Sequence, residues 1–452
     1  MTSITRVLEK LRQNPDRRLL GPSLISFAIK FAGAGISYIM LVTFAHMMSP
    51  DEYGKFAFIF NLAIVIAGVI GFGFPTGIMR YWQKYLAMDR PDFAKGSIRL
   101  ALWLNLIGVL AAIALALFLN SYAGASALFG KYNFLIVVLL GVSFAGADFA
   151  AGMLRAQHSV VGAMFPRDIA WRIIAPFTAF ILTLVGYTMS SELAVIICAT
   201  VLFALLIPQA FMILKNVRLV GGGIARLDWT GIRSSLPSLW GIAILYALIQ
   251  QFDVVIVGSL LSGPETGAYF AAQKTATLLS LVLIAGGLVT APTTAALFQN
   301  KKFEELQRLC KQLVTVISVV TLIGFLFLVL AGNLLLGMFN QSFSSAYWVL
   351  LVLGFGCMVD AVAGPTAYLM QMTSYEKAYL RIMAVCYAGV IGLQFILIPR
   401  FGSIGAAFAS ASGTIAWNIC SVWVLRKKAN LDPSLFGLFF PVKSKPKTTS
   451  EV

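Results

Sequence analysis

Five charged side chains lie inside long apolar runs of this sequence, and a sixth closes one. Lys30, Asp148, Asp253, Lys274 and Asp360 fall within such runs, and Arg80 ends the second. A charge at bilayer depth costs about 2.5–3.5 kcal/mol or more and normally faces a partner or a wet cavity. The cations Lys30, Arg80 and Lys274 have the chemistry to hold a phosphate in a cavity. The acids Asp148, Asp253 and Asp360, with the amide Gln250, have the chemistry to line it or to carry H⁺ or Na⁺.

Each residue also has a structural explanation. Lys30 shares a face with Ser26, Gly33 and Ser37, and its stem is long enough to snorkel to an interface. Asp253 follows Tyr246 and Gln250 at helical spacing, and an ion pair with Lys274 across a hairpin would satisfy both charges. Asp148 has Arg155 two turns away as a local partner. Asp360 has no base on its own helix, so a polar contact to a neighbouring helix would satisfy it. Arg80 would serve as a topogenic charge. Tyr38, Tyr246 and Trp240 are aromatic candidates for stacking on a sugar, although packing is the simpler reading.

The elements that position these residues follow from composition. The 452 residues are 59% hydrophobic and 12% charged. Soluble domains have about 45–50% apolar and roughly 25% charged residues, so a soluble enzyme is excluded and an all-α polytopic membrane protein remains. Apolar runs near 24–47, 54–79, 98–120, 132–154, 169–188, 192–214, 236–261, 266–298, 312–332, 346–371, 379–399 and 404–425 predict about twelve spans. The fifth is interrupted by Pro176, and the long eighth carries Pro292.

Of the 34 Lys and Arg, 29 fall on the tails and on alternate connections, counting Arg155, Arg167 and Arg172 in the fourth-to-fifth loop. Only Lys55, Lys131 and Arg400 flank the other side. The positive-inside rule then places both termini in the cytosol. The net charge of +16 is therefore mainly topological, and nucleic acid is not expected as a partner. Connections are short on both faces, with no room for an outer catalytic loop and no nucleotide-binding GxxxxGK[ST], so no enzyme activity is expected. Five scattered cysteines and two histidines predict neither a metal site nor a disulfide framework, and no cofactor.

The sequence repeats itself. MMSPDEYGKF at 47–56 matches LLSGPETGAY at 260–269, aligning Ser49 with Ser262, Glu52 with Glu265 and Gly54 with Gly267. Asp148 and Asp360 match at nearly the same offset. Each half thus holds six helices of the same polarity, which predicts parallel repeats with the site between them. The expected organisation is a basic tail (1–23), an N-terminal six-helix bundle (24–214), a linker (215–235), a second bundle (236–425) and a basic tail (426–452).

The stretch QFDVVIVGSLLSGPETGAYFAAQKTATL at 251–278 carries Asp253, Gly258, Gly267, Tyr269, Ala272 and Lys274. With MMSPDEYGKFAF and GFGFPTGIMR in the first half, it resembles the polysaccharide transporters. These belong to the multidrug, oligosaccharidyl-lipid and polysaccharide exporter superfamily and include O-antigen flippases. The resemblance implies an alternating-access flippase in a bacterial cytoplasmic membrane. Its substrate would be a lipid-linked (undecaprenyl-diphosphate) oligosaccharide for O-antigen, exopolysaccharide or capsule synthesis. Partners would be membrane lipid, H⁺ or Na⁺, and polysaccharide polymerase and chain-length machinery. The alternative within the superfamily is an H⁺- or Na⁺-coupled multidrug or small-molecule antiporter using Asp253 and Asp360.

Overall fold

The computed structural model describes residues 17–121, 133–220, 224–233, 235–300, 302–372 and 375–438. The tails at 1–16 and 439–452, with their basic residues, and Lys131 and Lys301 lie outside the described residues.

The described chain is helical throughout. The first four helices are α1 (Arg17–Met47), α2 (Pro50–Ile70), α3 (Phe74–Ala87) and α4 (Pro91–Ser121). Then come α5 (Phe134–Ala156), α6 (Val160–Phe165), a π turn (Pro166–Ala170), α7 (Trp171–Leu184) and α8 (Ser191–Leu219). The remainder comprises α9 (Trp229–Arg233), α10 (Leu236–Leu260), α11 (Gly263–Gln299), α12 (Phe303–Gly337), α13 (Tyr347–Ala363), α14 (Thr366–Met372) and α15 (Glu376–Val424).

Ten stretches among the described residues are long and apolar enough to cross a bilayer. Two details bring the passes to twelve. The last stretch, Glu376–Ala429, has 54 residues, which at about 1.5 Å each is more than twice the ~30 Å of hydrocarbon. It reverses at Gly402, where φ is 58° and ψ −144°. The fifth pass is α6, the π turn and α7 in series, none of them long enough alone.

Here the structure departs from the sequence reading. The fifth pass begins at Val160, not near 169, so Arg167 and Arg172 lie inside a helix and not in a loop. Their charges depressed the local hydropathy and hid the first two turns. The other 27 of the 29 still fall on the tails, on the alternate connections or on the helix ends beside them, so the alternation survives. The first helix likewise starts at Arg17, inside the stretch assigned to the tail.

The chain turns at two ends. At the hairpin end lie 47–50, 184–191, 260–263, 337–347 and Gly402, and there Glu52 ties the start of α2 to that of α8 by accepting from the Ser191 N–H and hydroxyl (2.7 Å each). At the basic end, Gln83 reaches the Ala156 carbonyl and Asn216 donates to Gln157 at 2.9 Å. There too, the linker residue Arg226 donates its N–H to the Asp92 carbonyl at 3.0 Å. Local chemistry starts α2: the Ser49 hydroxyl accepts the Glu52 N–H, Pro50 occupies the first turn, and Asp51 and Glu52 complement the helix dipole.

One antiparallel seam joins the first and second halves along their length. From hairpin end to basic end, Phe58 meets Gly258, Gly68 meets Ala247, and Gly73 meets Leu239. Further on, the Tyr81 and Ser235 hydroxyls bond at 2.7 Å and the Tyr85 hydroxyl donates to Asp228 at 3.0 Å. At Gly73, φ is +71° and a Cβ would stand 2.6 Å from the Leu239 carbonyl carbon. Only glycine serves both the break between α2 and α3 and the approach of α10. The other side is less closed. The hydroxyls of Tyr38 on α1 and Thr275 on α11 bond at 3.2 Å, while Ile25 and Phe31, nearer the basic end of α1, are exposed.

Candidate functional site

The site is built around the π turn in the fifth pass. A π turn adds a residue to a helical turn and re-aims the side chains around it. Arg167 there bonds Asp148 of α5 and, at 2.8 Å, its neighbour Asp168. Arg172, one turn on, donates to the Asp168 carbonyl. Its Nε is buried and has no hydrogen-bond partner among the described residues. The α1 backbone closes on the turn at Gly33, where a Cβ would lie 2.8 Å from the Asp168 carbonyl oxygen.

This arrangement corrects the expected partner of Asp148. Arg155, on the same helix, donates to the Ala151 carbonyl at 3.2 Å, and the carboxylate goes to Arg167. Hydropathy could not find Arg167 and Arg172. The available signal was Pro166 followed by RDIAWR, a charged run with helical spacing.

Lys30 projects from α1 toward this cluster, and the charges acting on it are those of Asp168, Arg167 and Arg155. Lys274, from α11 in the other half, lies over the Phe270 ring at 5.1 Å, and the charge acting on it is Arg172. No carboxylate among the described residues comes within 4 Å of Lys274. The cations Lys30, Arg155, Arg167, Arg172 and Lys274 face two carboxylates, Asp148 and Asp168, leaving a net +3. Arg172 and Lys274 come from opposite halves, so like charges act on each other where the halves meet.

The expected Asp253–Lys274 pair does not form. Asp253 is buried and accepts from Ser410 (2.7 Å), Gln394 (2.9 Å) and Tyr387 (3.2 Å), all on α15. A face inferred from one helix could not reveal this, because α15 supplies every partner. Gln250 and Tyr246 are exposed while Asp253 is not, so the shared face of α10 is divided between open space and packing. Tyr246 is the member that looks across to the first half, where Arg167 acts on it.

Asp360 takes a hydrogen bond from Asn418 at 2.7 Å, the polar contact to a neighbouring helix anticipated for it. Asn418 accepts in turn from Thr366 at 3.1 Å, just past the break between α13 and α14. Arg80 is exposed on α3 with no ion pair among the described residues, and nothing links it to the cationic cluster. Trp240 donates to the Val69 carbonyl at 2.9 Å and stacks on Phe72, which assigns it to packing.

Fold and site together define an all-α membrane chain in which charges from two halves come together. Comparison with known proteins agrees. An inward-facing multidrug-resistance MATE transporter of the MOP superfamily superposes with a TM-score of 0.71 at 13% identity, covering 89% of this chain and 98% of that one. The lipid II flippase MurJ, inward closed, gives 0.64 at 14% identity over 89% and 87%. A Pyrococcus furiosus MOP transporter, described as having a binding pocket of reversed polarity, gives 0.60 at 15% over 90% and 94%. The chain thus shares the fold of these three structures. In sequence, the probable flippase AglR of Haloferax volcanii is 27% identical over 189 residues, 41% of this chain. The matched part spans about 40% of that relative's length. No family model matches the chain.

Proposed function

We propose that the protein is a flippase carrying an anionic, lipid-linked oligosaccharide across a bacterial cytoplasmic membrane, with an undecaprenyl-diphosphate glycan as substrate. One observation carries the reading: five cations face two carboxylates where the halves meet, and Lys274 has no carboxylate partner among the described residues. A sugar head group needs a wet path through hydrocarbon, and its diphosphate needs fixed positive charge along that path. The thinner side, between α1 and α11, leaves room for a lipid tail to stay in the bilayer. Rocking of two bundles, divided at the 215–235 linker, would move the head group. The sequence match to a protein named as a flippase, and the fold shared with MurJ, support this choice.

A second reading is kept by a separate observation. Asp253 and Asp360 are held by hydroxyls and amides and pair with no cation among the described residues, as acids in an H⁺- or Na⁺-coupled antiporter would be. These acids serve equally as coupling sites of a flippase, whereas the cationic cluster repels a cationic drug. The basic end is assigned to the cytosol.

Reconstitution distinguishes the two. Purified protein in liposomes is expected to translocate a fluorescent undecaprenyl-diphosphate oligosaccharide and to leave an organic cation dye untransported. Dye exchange against a pH or Na⁺ gradient, without glycan movement, overturns the flippase. Labelling of a cysteine at Lys302 by an impermeant reagent outside intact cells overturns the orientation.

A further inference from the structure

The glycines of the repeated motif have a use that neither the packing of one helix nor a charged cavity explains. Gly54 on α2 belongs to the first half, and Gly263 and Gly267 on α11 belong to the second. A Cβ on Gly54 would stand 1.8 Å from the Gly263 carbonyl oxygen and 2.5 Å from its carbonyl carbon. Real Cβ atoms essentially never come within 3.0 Å of another heavy atom. The obstacle is backbone, so no rotamer change relieves it. From the other side, a Cβ on Gly263 would lie 2.2 Å from the Asp51 carboxylate, and one on Gly267 would lie 3.3 Å from the Gly54 nitrogen. Two backbones from opposite halves therefore touch over one helical turn.

The surroundings seal that contact. Tyr53, next to Gly54, is fully buried, with ring centroids 5.7 Å from Phe343, 6.1 Å from Phe270 and 6.3 Å from Phe339, all in the second half. Asp51 is held at 2.8 Å by Lys55 and sits at the start of α11, where the helix dipole favours a negative charge. The contact lies at the hairpin end, opposite the exposed stretch of α1. Nothing comparable joins α1 to α11 near the basic end among the described residues.

We propose that Gly54 and Gly263 form the latch that closes the hairpin end, and that the absence of a side chain at Gly54 is what allows this end to shut. The inference rests on the alternating-access reading but not on the identity of the substrate. A single methyl group at Gly54 leaves every other contact of the closed state in place and cannot itself be accommodated there. The halves must then part at the hairpin end, pivoting about the middle of the seam near Gly68 and Ala247, so that the basic end closes. Asp51 secures the latch through charge, so its loss loosens closure without adding bulk.

Electron–electron distance spectroscopy on the full-length protein in nanodiscs, with native cysteines replaced, tests this. Labels at Glu192 and Gln341 report the hairpin end, and labels at Met88 and Glu304 report the basic end. Gly54→Ala is expected to raise the population with a separated hairpin end at least tenfold and to shorten the basic-end distance. Asp51→Asn is expected to move both distances the same way by a smaller factor, and it keeps the test available should Gly54→Ala fail to fold. Gly389→Ala, where nothing lies within 4 Å of the added Cβ, is expected to match the unsubstituted protein. Unchanged distances in Gly54→Ala, or in Asp51→Asn where the glycine variant does not fold, overturn the latch and leave the flippase reading untouched. A transport defect with unchanged distances has the same meaning.

Discussion

The two halves handle buried charge in opposite ways. In the first half, Arg167 is shared between Asp148 and Asp168, and Arg172 and Lys30 stand beside the same carboxylates. In the second half, Asp253 and Asp360 are held, among the described residues, by neutral donors: Ser410, Gln394 and Tyr387 for one, Asn418 for the other. Asp148 and Asp360 nearly match in the repeat, yet one has a guanidinium and the other an amide. Cations held by carboxylates keep their charge whatever arrives, which suits a fixed lining for an anion. Carboxylates held by hydroxyls and amides lack a permanent counter-charge, which suits a site whose occupancy by H⁺ or Na⁺ changes.

Breaking the pair in the first half gives the largest expected effect. Arg167→Ala leaves Asp148 without its cation and Asp168 with only the longer contact to Arg172, at 3.9 Å. Removing one member of a sealed ion pair costs about 3–5 kcal/mol. The Arg167 side chain is 39% exposed, so water moderates the loss to roughly 2 kcal/mol. Thermal unfolding in detergent measures it. Combining Arg167→Gln with Asp148→Asn is expected to recover a good part of the loss, and additive losses would show that the two residues are not coupled.

Removing the cations without a dedicated partner comes next. Lys274→Ala is expected to lower glycan translocation about tenfold, the equivalent of one charged hydrogen bond, with insertion unchanged. Lys30→Ala is expected to do the same less severely, because Arg155 and Arg167 remain nearby. Lys274→Arg should keep more activity than Lys274→Ala, since it keeps the charge. Unchanged translocation in the Lys30/Lys274 double alanine variant would remove the cavity role.

The acids of the second half sharpen the contrast through coupling. Asp360→Asn is expected to abolish the dependence of translocation on a pH gradient in liposomes, with rate measured against gradient. Asp253 does not touch Lys274, so Asp253→Asn is expected to leave substrate affinity intact. An affinity change there would return Asp253 to the binding site. Translocation indifferent to every gradient would end ion coupling altogether.

The smallest effect belongs to the linker. The Gly231 N–H, the Thr230 hydroxyl and the Tyr85 hydroxyl all bond Asp228 and hold its carboxyl below the ordinary value. A carboxyl lowered on folding contributes stability above its unfolded pKa, about 3.9, and that stability is lost as pH falls through the lowered folded value. Asp228→Asn should therefore unfold at a slightly lower temperature at neutral pH and match the unsubstituted protein in strong acid. A gap that persists in acid would assign the effect to shape and not to charge.

The membrane class and the approximate helices follow from composition and period alone, because the bilayer imposes one length and one polarity on every span. Even the twelfth pass was legible, although only one non-helical residue, Gly402, separates it from the eleventh. The candidate charges could be named for the same reason: a charge in hydrocarbon is conspicuous in a sequence. Tertiary structure decided their partners, since the donors lie on other helices. Asp253 is satisfied from α15, more than 130 residues away, and Asp148 by a guanidinium that hydropathy had assigned to a loop. Charge lowers local hydropathy, so the segment that carries Arg167, Asp168 and Arg172 was the one least recognisable as a span. The sequence by itself determined that this chain crosses a membrane many times and carries charge into it. Only the packing of one half against the other decided which charges meet, because like charges from distant helices become neighbours only when backbones meet, as they do at Gly33, Gly54 and Gly73.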